Sequence, residues 1–555
     1  PNAWRNQRYA CNEQHYCVTH HVRTSSKRYH LRPFSSFFSQ QTRFSKEFHC
    51  IHPNHVQAHR SLTGTQSTVS SLYTSAYFRK PPVEQRFVLL GHMAAWCAEN
   101  LRNLEGWRSC GLSLSTPSDQ CAKLFDGALR QLVSWSDCDA LGGLHKTLED
   151  MKVADSKAVL PRAFLLGLES LGTGTCTRVN SVYKAELEQL QADAASYANE
   201  REQQHAKAVL LWGEGKMKEA TNTWEQILAY YPTDLMAIKF SHDAYFFMGD
   251  AKGKRDSIQA VIGKQKSSEP CYSYLHGMLA FGLEECKQYD QAEKEAMKAL
   301  SLNRFDAWAT HARAHVMEMQ GRINEGIHFM ESTVDYWRPS WLIATHNYWH
   351  SALYYVERGD YDVALTIFDN EICERAKKSG SLLDFVDASS ILWRLELEGV
   401  DVGKRWHDLP CMKTHLDDHV TSFNDTHLDK RGDTAEEMHL HKSLLDFSNN
   451  YDVDNAKISR EVGIALYEGM ILYGRGQYDE AVEKMLPIRH DIYRIGGSNA
   501  QRDVFAQTLI HACIMSMNPA HFYQTLTLID ERNALKKDSP ISDRLIAKYR
   551  KLHPI

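Results

Sequence analysis

A repeated pattern of small residues is the feature that most restricts how this chain can fold. Five segments place a small residue shortly after a turn, in the strings WGEGKMKEATNTW, CKQYDQAEKEAMKAL, MQGRINEGIHFM, ERGDYDVALTIF and GRGQYDEAVEKM. The small residues are Ala220, Ala292, Gly326, Ala364 and Ala481. Ala292 and Gly326 are 34 positions apart, Gly326 and Ala364 are 38, and the 72 positions from Ala220 to Ala292 leave room for two units. The pattern indicates a helix–turn–helix unit of about 34 residues.

A unit of this length, with small residues where helices approach closely, is typical of tetratricopeptide repeats. One unit cannot bury its apolar stripe alone, so successive units stack into a solenoid whose first helices line a concave face. Helix signals dominate from about residue 115, and strand-like alternation is hard to find. We predict an all-α, tetratricopeptide-like helical-repeat solenoid with a disordered N-terminal leader. The predicted divisions are N-terminal helical units at 93–200, central repeats at 201–400, and C-terminal units at 401–555 with a repeat at about 460–495.

The leader, residues 1–92, differs from the rest in charge. It has 12 Lys and Arg against three Glu, with no Asp and no Met, although the whole chain has a net charge of −5 and 16 Met. A basic arm for nucleic acid would place its charges on a patterned helix, and a transit peptide would open with an amphipathic helix. Neither pattern is present. We therefore interpret residues 1–92 as a basic disordered leader or an extension of the gene model, and expect no nucleic-acid partner.

Composition limits the setting in which the chain works. No apolar run approaches the roughly 18 residues of a membrane-spanning helix, so no membrane partner is expected. The 13 cysteines are odd in number, scattered, and never spaced as CxxC. This usage favours reduced thiols in a cytoplasmic protein over a disulfide framework. The oligomeric state is left open.

Histidines recur at the repeat length. His205, His242, His276, His311 and His346 fall in successive first helices, at separations of 37, 34, 35 and 35 residues. By repeat position, His205, His311 and His346 face the groove, as does His315, whereas His276 occupies a packing position. Within the string HARAHVMEMQ, the residues His311, His315 and Glu318 share one helical stripe. The string HNYWH places His350 one turn after His346.

Further polar residues lie in apolar surroundings and are candidates for the same groove. Asp243 follows His242 among aromatic residues, and Ser498 precedes a helix start as a capping residue. The remaining candidates are Asp384, Asp387, His419, Asn424, Asp425, His427, Asn499, Gln501, Arg502 and Asp503.

Two functions compatible with this pattern belong to different classes. The first, which we favour, is a binding scaffold without a cofactor, whose His-rich polar groove recognises a protein or peptide segment or a small ligand. The second is a metal-dependent or acid/base enzyme, in which His311, His315 and Glu318 hold a single divalent ion. No HExxH, phosphate-binding loop or nucleophile elbow supports an enzyme. If the groove is real, His242, His311, His315 and His346 should converge, and binding should change between about pH 5.5 and 7.5.

Three longer strings resemble a known family. PTDLMAIKFSHDAYFFMGD, HNYWHSALYYVERGDYDVALTIFD and IGGSNAQRDVFAQTLIHA are similar to the tetratricopeptide repeat protein 38 family, over about residues 95 to 550. The resemblance implies a cytosolic all-helical repeat protein whose biochemical activity is not well defined. Residues 428–445 depart from the family pattern, since the helix expected to continue after His427 breaks into charged residues.

Overall fold

Helix pairs build the whole of the described chain. The structure is a computed structural model that describes residues 94–172, 175–428 and 434–554. Within these ranges the regular elements are helices, and no strand occurs. The predicted all-α helical-repeat fold is therefore confirmed. The leader predicted at residues 1–92 lies outside the described residues.

The described residues form 26 α-helices. In chain order they are α1 Leu104–Ser109, α2 Asp119–Ser134, α3 Gly143–Ala154, α4 Val159–Ser170, α5 Ser181–Tyr197, α6 Glu200–Gly213, α7 Met217–Tyr230, α8 Leu235–Phe247, α9 Ala251–Ile262, α10 Tyr272–Glu285, α11 Tyr289–Leu302, α12 Ala307–Met319, α13 Ile323–Trp337, α14 Leu342–Arg358, α15 Tyr361–Ile367, α16 Cys373–Ser379, α17 Leu382–Leu397, α18 Arg405–Asp408, α19 Ser422–Leu428, α20 Thr434–Asn450, α21 Asp454–Ile458, α22 Ile464–Gly474, α23 Tyr478–Met485, α24 Asn499–Met515, α25 Pro519–Leu535 and α26 Pro540–Leu552. A π-helical turn, Phe368–Ile372, joins α15 to α16.

The turns inside the repeats explain the glycines of the sequence pattern. Gly215, Gly321 and Gly359 have φ angles of 80°, 71° and 90°. This left-handed conformation ends a first helix and is accessible to glycine without the strain that a side chain would add. Gly326 has a different reason, because a Cβ there would lie 2.2 Å from Cζ of Tyr354 on the next helix. The small residue of this repeat is therefore set by close helix packing.

First helices α10, α12, α14 and α17 pack side by side and form the concave face of the solenoid. The chain covers this face itself. Helix α24 packs on α17, where the Arg394 guanidinium donates to the carbonyl oxygens of Ala500 and Gln501 at 2.7 and 3.2 Å. Helix α26 packs on α14. The C-terminal helices thus occupy part of the groove that an open solenoid would expose.

Contacts between distant parts of the chain close the superhelix. The Asp454 backbone N–H donates to the carbonyl oxygen of Gly215 at 3.1 Å, and the Arg178 guanidinium donates to the carbonyl oxygen of Asp417 at 2.6 Å. The Lys537 N–H donates to the carbonyl oxygen of Met319 at 3.0 Å. These bonds join the C-terminal half to the repeat turns of the N-terminal half, which encloses the space between them.

One predicted boundary, after residue 200, lies one residue inside α6, and the other, after residue 400, lies in a connection between helices. Residue 200 begins α6, and residue 400 follows α17. The assignment of the predicted divisions as separate domains stays a prediction. In the segment 428–445, which departs from the family pattern, α19 ends at Leu428 and α20 begins at Thr434. Residues 429–433 lie outside the described ranges. Among the described helices, none combines the length and apolar character needed to cross a membrane.

Candidate functional site

Four imidazole rings gather at the centre of the concave face. His311 and His315 are one turn apart on α12, and His346 and His350 are one turn apart on α14. Ring centroids are 4.4 Å apart for His311–His315, 4.9 Å for His346–His350 and 4.3 Å for His315–His350. The rings meet because each pair shares a helical face and the two helices are neighbours in the stack. We call these four residues the histidine cluster.

The histidine cluster is shielded from solvent. One ring nitrogen from each of the four residues lies within 4.8 Å of the others. The side chains of His315 and His350 are fully buried, and His311 is 1% exposed. His346 is the most accessible member, with 14% of its side chain exposed. A ligand held by the histidine cluster would therefore exchange with solvent past His346.

In three of the four rings, a carboxylate group lies next to Nδ1. Nδ1 of His350 is 2.8 Å from Oε2 of Glu318, and Nδ1 of His346 is 2.8 Å from Oδ2 of Asp387. Nδ1 of His315 lies 3.5 Å from Oε2 of Glu284, beyond hydrogen-bonding contact. In His346 and His350 these bonds fix the ring orientation and place a proton on Nδ1, which leaves Nε2 as the acceptor or ligand atom.

Glu318 is one of the carboxylates that lie next to the histidine rings. From the sequence, Glu318 was a carboxylate that could complete or orient a metal site of His311 and His315, and the structure places it against Nδ1 of His350. Its Oε2 is engaged by His350, and its Oε1 accepts from Lys536 Nζ at 2.9 Å. Burial alone would raise the pKa of Glu318, but Lys536 and His350 outweigh it and lower the pKa to about 2. Glu318 is therefore an ionised carboxylate that orients His350.

Several ring nitrogens of the histidine cluster have no hydrogen-bond partner within the described chain. They are both nitrogens of His311, both of His315 and Nε2 of His350. An unsatisfied buried polar group typically costs about 1–3 kcal/mol, so such a set calls for an explanation. Burial lowers the pKa of His311, His315 and His350, and the neighbouring histidines lower it further. For His311 and His315 the pKa lies well below the usual imidazole value, which runs against the pH-dependent binding near neutrality that the sequence led us to expect.

The other histidines of the sequence ladder lie elsewhere. His242 does not join the histidine cluster, because the rings of Phe281 and Trp308 lie beside it, at centroid distances of 6.3 and 5.9 Å. His205 bonds Asp234 at 3.0 Å in a separate buried network. His276 lies 2.6 Å from Glu295, in keeping with its packing position. Repeat spacing thus aligned these residues along the solenoid without bringing them to one point.

A cavity of about 190 Å³ adjoins the histidine cluster, and His311 and His346 belong to its wall. The apolar wall includes Leu132, Trp135, Phe240, Phe247, Trp308 and Trp341. Trp135 and Trp308 stack with centroids 5.7 Å apart. The polar wall contains the carboxyl groups of Asp243, Asp384 and Asp387, and no Lys or Arg lines the described cavity. An apolar ligand with one polar end matches such a wall.

The acidic groups of the cavity differ in environment. Asp243 accepts from Lys239 Nζ at 2.7 Å with both oxygens. Burial raises the pKa of Asp384 to about 7, and Ser379 Oγ donates to it at 2.5 Å. Asp387 is bonded to His346. The charge of Asp384 can therefore change near neutral pH.

The candidates on α24 hold the C-terminal helices in place. We call α24, α25 and α26, which cover part of the concave face, the C-terminal lid. The backbone N–H of Asn499 donates to Glu285 Oε1 at 2.9 Å, and Ser498 forms the expected cap. The Arg502 guanidinium lies 3.6 Å from Glu285, and Asp503 receives two bonds of 2.8 Å from Arg532. These residues join α24 to α10 and α25 and do not enter the histidine cluster.

The remaining candidates divide between the cavity and the core. Asn424 and Gln501 line the cavity. His419 lies 3.1 Å from Asp425 and 2.8 Å from Ser443, and His427 bonds the carbonyl oxygen of Phe423, so these three are held by local contacts.

Sequence reasoning missed three contributors. Lys536, Glu284 and Trp135 lie on segments that only the tertiary fold brings to the site. His350 had been named as a groove residue but not as a metal ligand. The signal for it was present, because His346 and His350 repeat the four-residue spacing of His311 and His315.

No family model matches the chain. Structures that align with it include the human IFIT1 dimer with m7Gppp-AAAA, at 13% identity, 83% of this chain, 99% of that chain and a TM-score of 0.31. Yeast Tom70 aligns at 12% identity, 84% of this chain, 96% of that chain and a TM-score of 0.28. The tetratricopeptide-type architecture is established by the helix pairs of this chain, and membership of the tetratricopeptide repeat protein 38 family stays a prediction.

Proposed function

We propose that this protein is a helical-repeat receptor for a small, largely apolar molecule that carries an amine or hydroxyl group. The observation that supports this most directly is the cavity beside the histidine cluster. Its wall combines aromatic rings with three carboxyl groups, and none of the described residues that line it is Lys or Arg. Between the ligands foreseen from the sequence, a partner segment or a small molecule, we favour the small molecule because the C-terminal helices cover part of the concave face.

The size of the cavity indicates the size of the ligand. An engineered protein cavity of about 150 Å³ holds benzene, and this cavity measures about 190 Å³. A substituted aromatic ring therefore fits, packed against the stacked pair of Trp135 and Trp308. Its donor group would face Asp384, because Asp243 and Asp387 are engaged by Lys239 and His346.

The proposal also covers the location of the protein and the family to which it is related. We place the protein in the cytoplasm, because the ten cysteines of the described residues are all free and most are buried. The three quoted strings support a relationship to the tetratricopeptide repeat protein 38 family. A stable reduced interior and a covered cavity suit a protein that holds a small cellular molecule.

Calorimetric titration with three matched probes tests the proposal. We expect 2-phenylethylamine and 2-phenylethanol to bind, and 3-phenylpropanoate to bind at least about tenfold more weakly, since a carboxylate would be buried against acidic groups. The amine should bind more tightly than the alcohol because its charge would face Asp384, and Asp384→Asn should remove most of this difference. Asp290→Asn, at an exposed acidic residue of α11, is the matched control. Equal binding of all three probes, or of none, would contradict the proposal.

A further inference from the structure

We propose that His311, His315, His346 and His350 together bind one divalent transition-metal ion, with zinc as the expected ion. The four residues are two pairs, each with four-residue spacing on adjacent first helices, and one nitrogen of each lies within 4.8 Å of the other three. The metal site does not depend on the proposed small-molecule ligand. The protein can bind a metal ion even if the adjoining cavity binds none of the aromatic probes.

The orientation of the rings supports a metal site. Metal-bound histidines in proteins usually donate their other N–H to a carboxylate or carbonyl group. Here Nδ1 of His350 is bonded to Glu318, and Nδ1 of His346 is bonded to Asp387. Nδ1 of His315 faces Glu284 at 3.5 Å. Nε2 is then the nitrogen left for the ion in His346 and His350, whereas both nitrogens of His315 are free to bind it.

The unpartnered nitrogens supply a second, independent observation. Both nitrogens of the buried His311 ring, both of His315 and Nε2 of His350 lack a hydrogen-bond partner in the described part of the protein. A histidine packed for stability alone is usually bonded through at least one nitrogen. His311 has neither nitrogen bonded, although its ring lies 4.4 and 4.9 Å from those of His315 and His346. A metal ion would satisfy His311 and its neighbours at once.

The donor set limits which ion fits. Four nitrogens at about 2.05 Å from a tetrahedral ion are about 3.3 Å apart. The present nitrogens lie within 4.8 Å of one another, so the rings need to move inward by at most about 1 Å to reach that geometry. Imidazole suits zinc, copper, nickel and iron, whereas magnesium and calcium require oxygen ligands. Four protein ligands complete a tetrahedral sphere, which is typical of structural zinc sites.

A competing site shares one residue with this one. Glu284, Glu285 and His315 also bring three candidate ligand atoms together. Glu285, however, already accepts from the Asn499 backbone N–H at 2.9 Å and lies 3.6 Å from the Arg502 guanidinium. An ion there would have to displace these contacts, whereas the histidine cluster has uncommitted nitrogens. The four histidines are therefore the better site.

The bound ion would join two repeats. His311 and His315 belong to α12, while His346 and His350 belong to α14. An ion that contacts both helices binds the folded chain and not the unfolded one, so its binding should raise the unfolding temperature. The ion can enter through the adjoining cavity, whose wall includes His311 and His346.

Metal analysis of the full chain, purified without a polyhistidine tag, is the first test. The protein is stripped with a chelator, dialysed against zinc and analysed by mass spectrometry of the elements. X-ray absorption at the zinc edge and the visible spectrum of the cobalt-substituted protein report the ligands. We expect one tightly bound zinc per chain, nitrogen neighbours at about 2.0–2.1 Å, a tetrahedral cobalt spectrum and a higher melting temperature with zinc. A chain that binds no zinc tightly, or a spectrum dominated by oxygen or sulfur ligands, would overturn the proposal.

Variants then locate the ion. His346→Gln and His350→Gln should each remove the tight site and abolish the zinc-dependent rise in melting temperature. His276→Gln is the matched control, because His276 is a buried first-helix histidine outside the cluster. Glu284→Gln separates the two sites, since it removes a ligand of the competing site and should leave tight zinc binding in place. Loss of zinc in Glu284→Gln but not in His350→Gln would place the ion at the acidic site and overturn the assignment. The spectra of the wild-type chain remain decisive if a variant fails to fold.

Discussion

At the scale of single residues, close packing sets the identity of Gly326. Its α13 position faces the ring of Tyr354, whose hydroxyl donates to the carbonyl oxygen of Ala314 at 2.6 Å. Added volume at Gly326 would move this ring and threaten the bond. The same ring lies on α14, the helix that carries His346 and His350. A packing change at residue 326 can therefore reach the histidine cluster.

Gly326→Ala should lower the free energy of unfolding by about 1–3 kcal/mol, because the new methyl group would lie 2.2 Å from Tyr354 Cζ. Urea unfolding followed by circular dichroism measures the change. Gly474→Ala is the control, since an added Cβ there meets no atom within 4 Å and its helical conformation suits alanine. This control should be neutral or more stable by up to about 1 kcal/mol. Equal losses in both variants would disprove the packing argument.

At the scale of helices, one buried cation holds the C-terminal lid against the central repeats. Lys536, at the end of α25, lies 2.9 Å from Glu318 of α12 and 2.6 Å from Glu357 of α14. Arg532 of α25 also contacts Glu357, at 3.3 Å. The two acidic residues come from the same two helices as the histidine cluster. Lys536 therefore links the C-terminal lid, through Glu318 and Glu357, to the two helices that carry the histidine cluster.

Lys536→Met should lower the free energy of unfolding by about 3–5 kcal/mol, because Glu318 and Glu357 would remain buried without this partner. Thermal and urea unfolding measure the loss. Lys551→Met on α26 provides the comparison, since Lys551 is exposed and should change stability by less than about 0.5 kcal/mol. A similarly small effect at Lys536 would show that the lid does not depend on this cation.

The sequence predicts contacts that follow from helical periodicity and repeat length, and it does not predict contacts between residues that are distant along the chain. Helical periodicity fixes which residues share a face, and repeat length fixes which faces are neighbours, so the sequence predicted that His311, His315 and His346 meet. It assigned Glu318 to the ion because its spacing places it on the same stripe, whereas Lys536, 218 positions away, and His350 determine where its oxygens point. Repeat length alone could not show that aromatic rings separate His242 from the cluster.

At the scale of the whole molecule, buried neutral histidines make the fold sensitive to acid. Burial, together with the nearby positive charge of Lys548, lowers the pKa of His511 to about 3. Its Nδ1 lies 3.0 Å from Lys548 Nζ, which joins α24 to α26. Below about pH 6.5 the unfolded chain takes up a proton on this residue that the folded protein does not. The free energy of unfolding therefore keeps its full value above that pH with respect to His511, and it falls as the solution becomes more acidic.

The free energy of unfolding should fall by about 1.4 kcal/mol per pH unit for His511 between about pH 6.5 and 3, in addition to any other groups. Unfolding in urea at several pH values gives this slope. His511→Leu should make the slope less steep by about that amount, while His490→Gln, at an exposed histidine, should leave it unchanged. An unchanged slope in His511→Leu would show that this residue does not bind the expected proton on unfolding.

The bonds that close the superhelix also set an order of events during biosynthesis. Repeat α12–α13 leaves the ribosome long before Lys536 and Lys537, which supply the contacts to Glu318 and Met319. Until α25 is made, the nascent concave face is uncovered, and Glu318 has only His350 as a partner. Translation must therefore pass a stage at which the histidine cluster is open to solvent. A zinc ion, or a chaperone that protects the groove, has its readiest access during this interval.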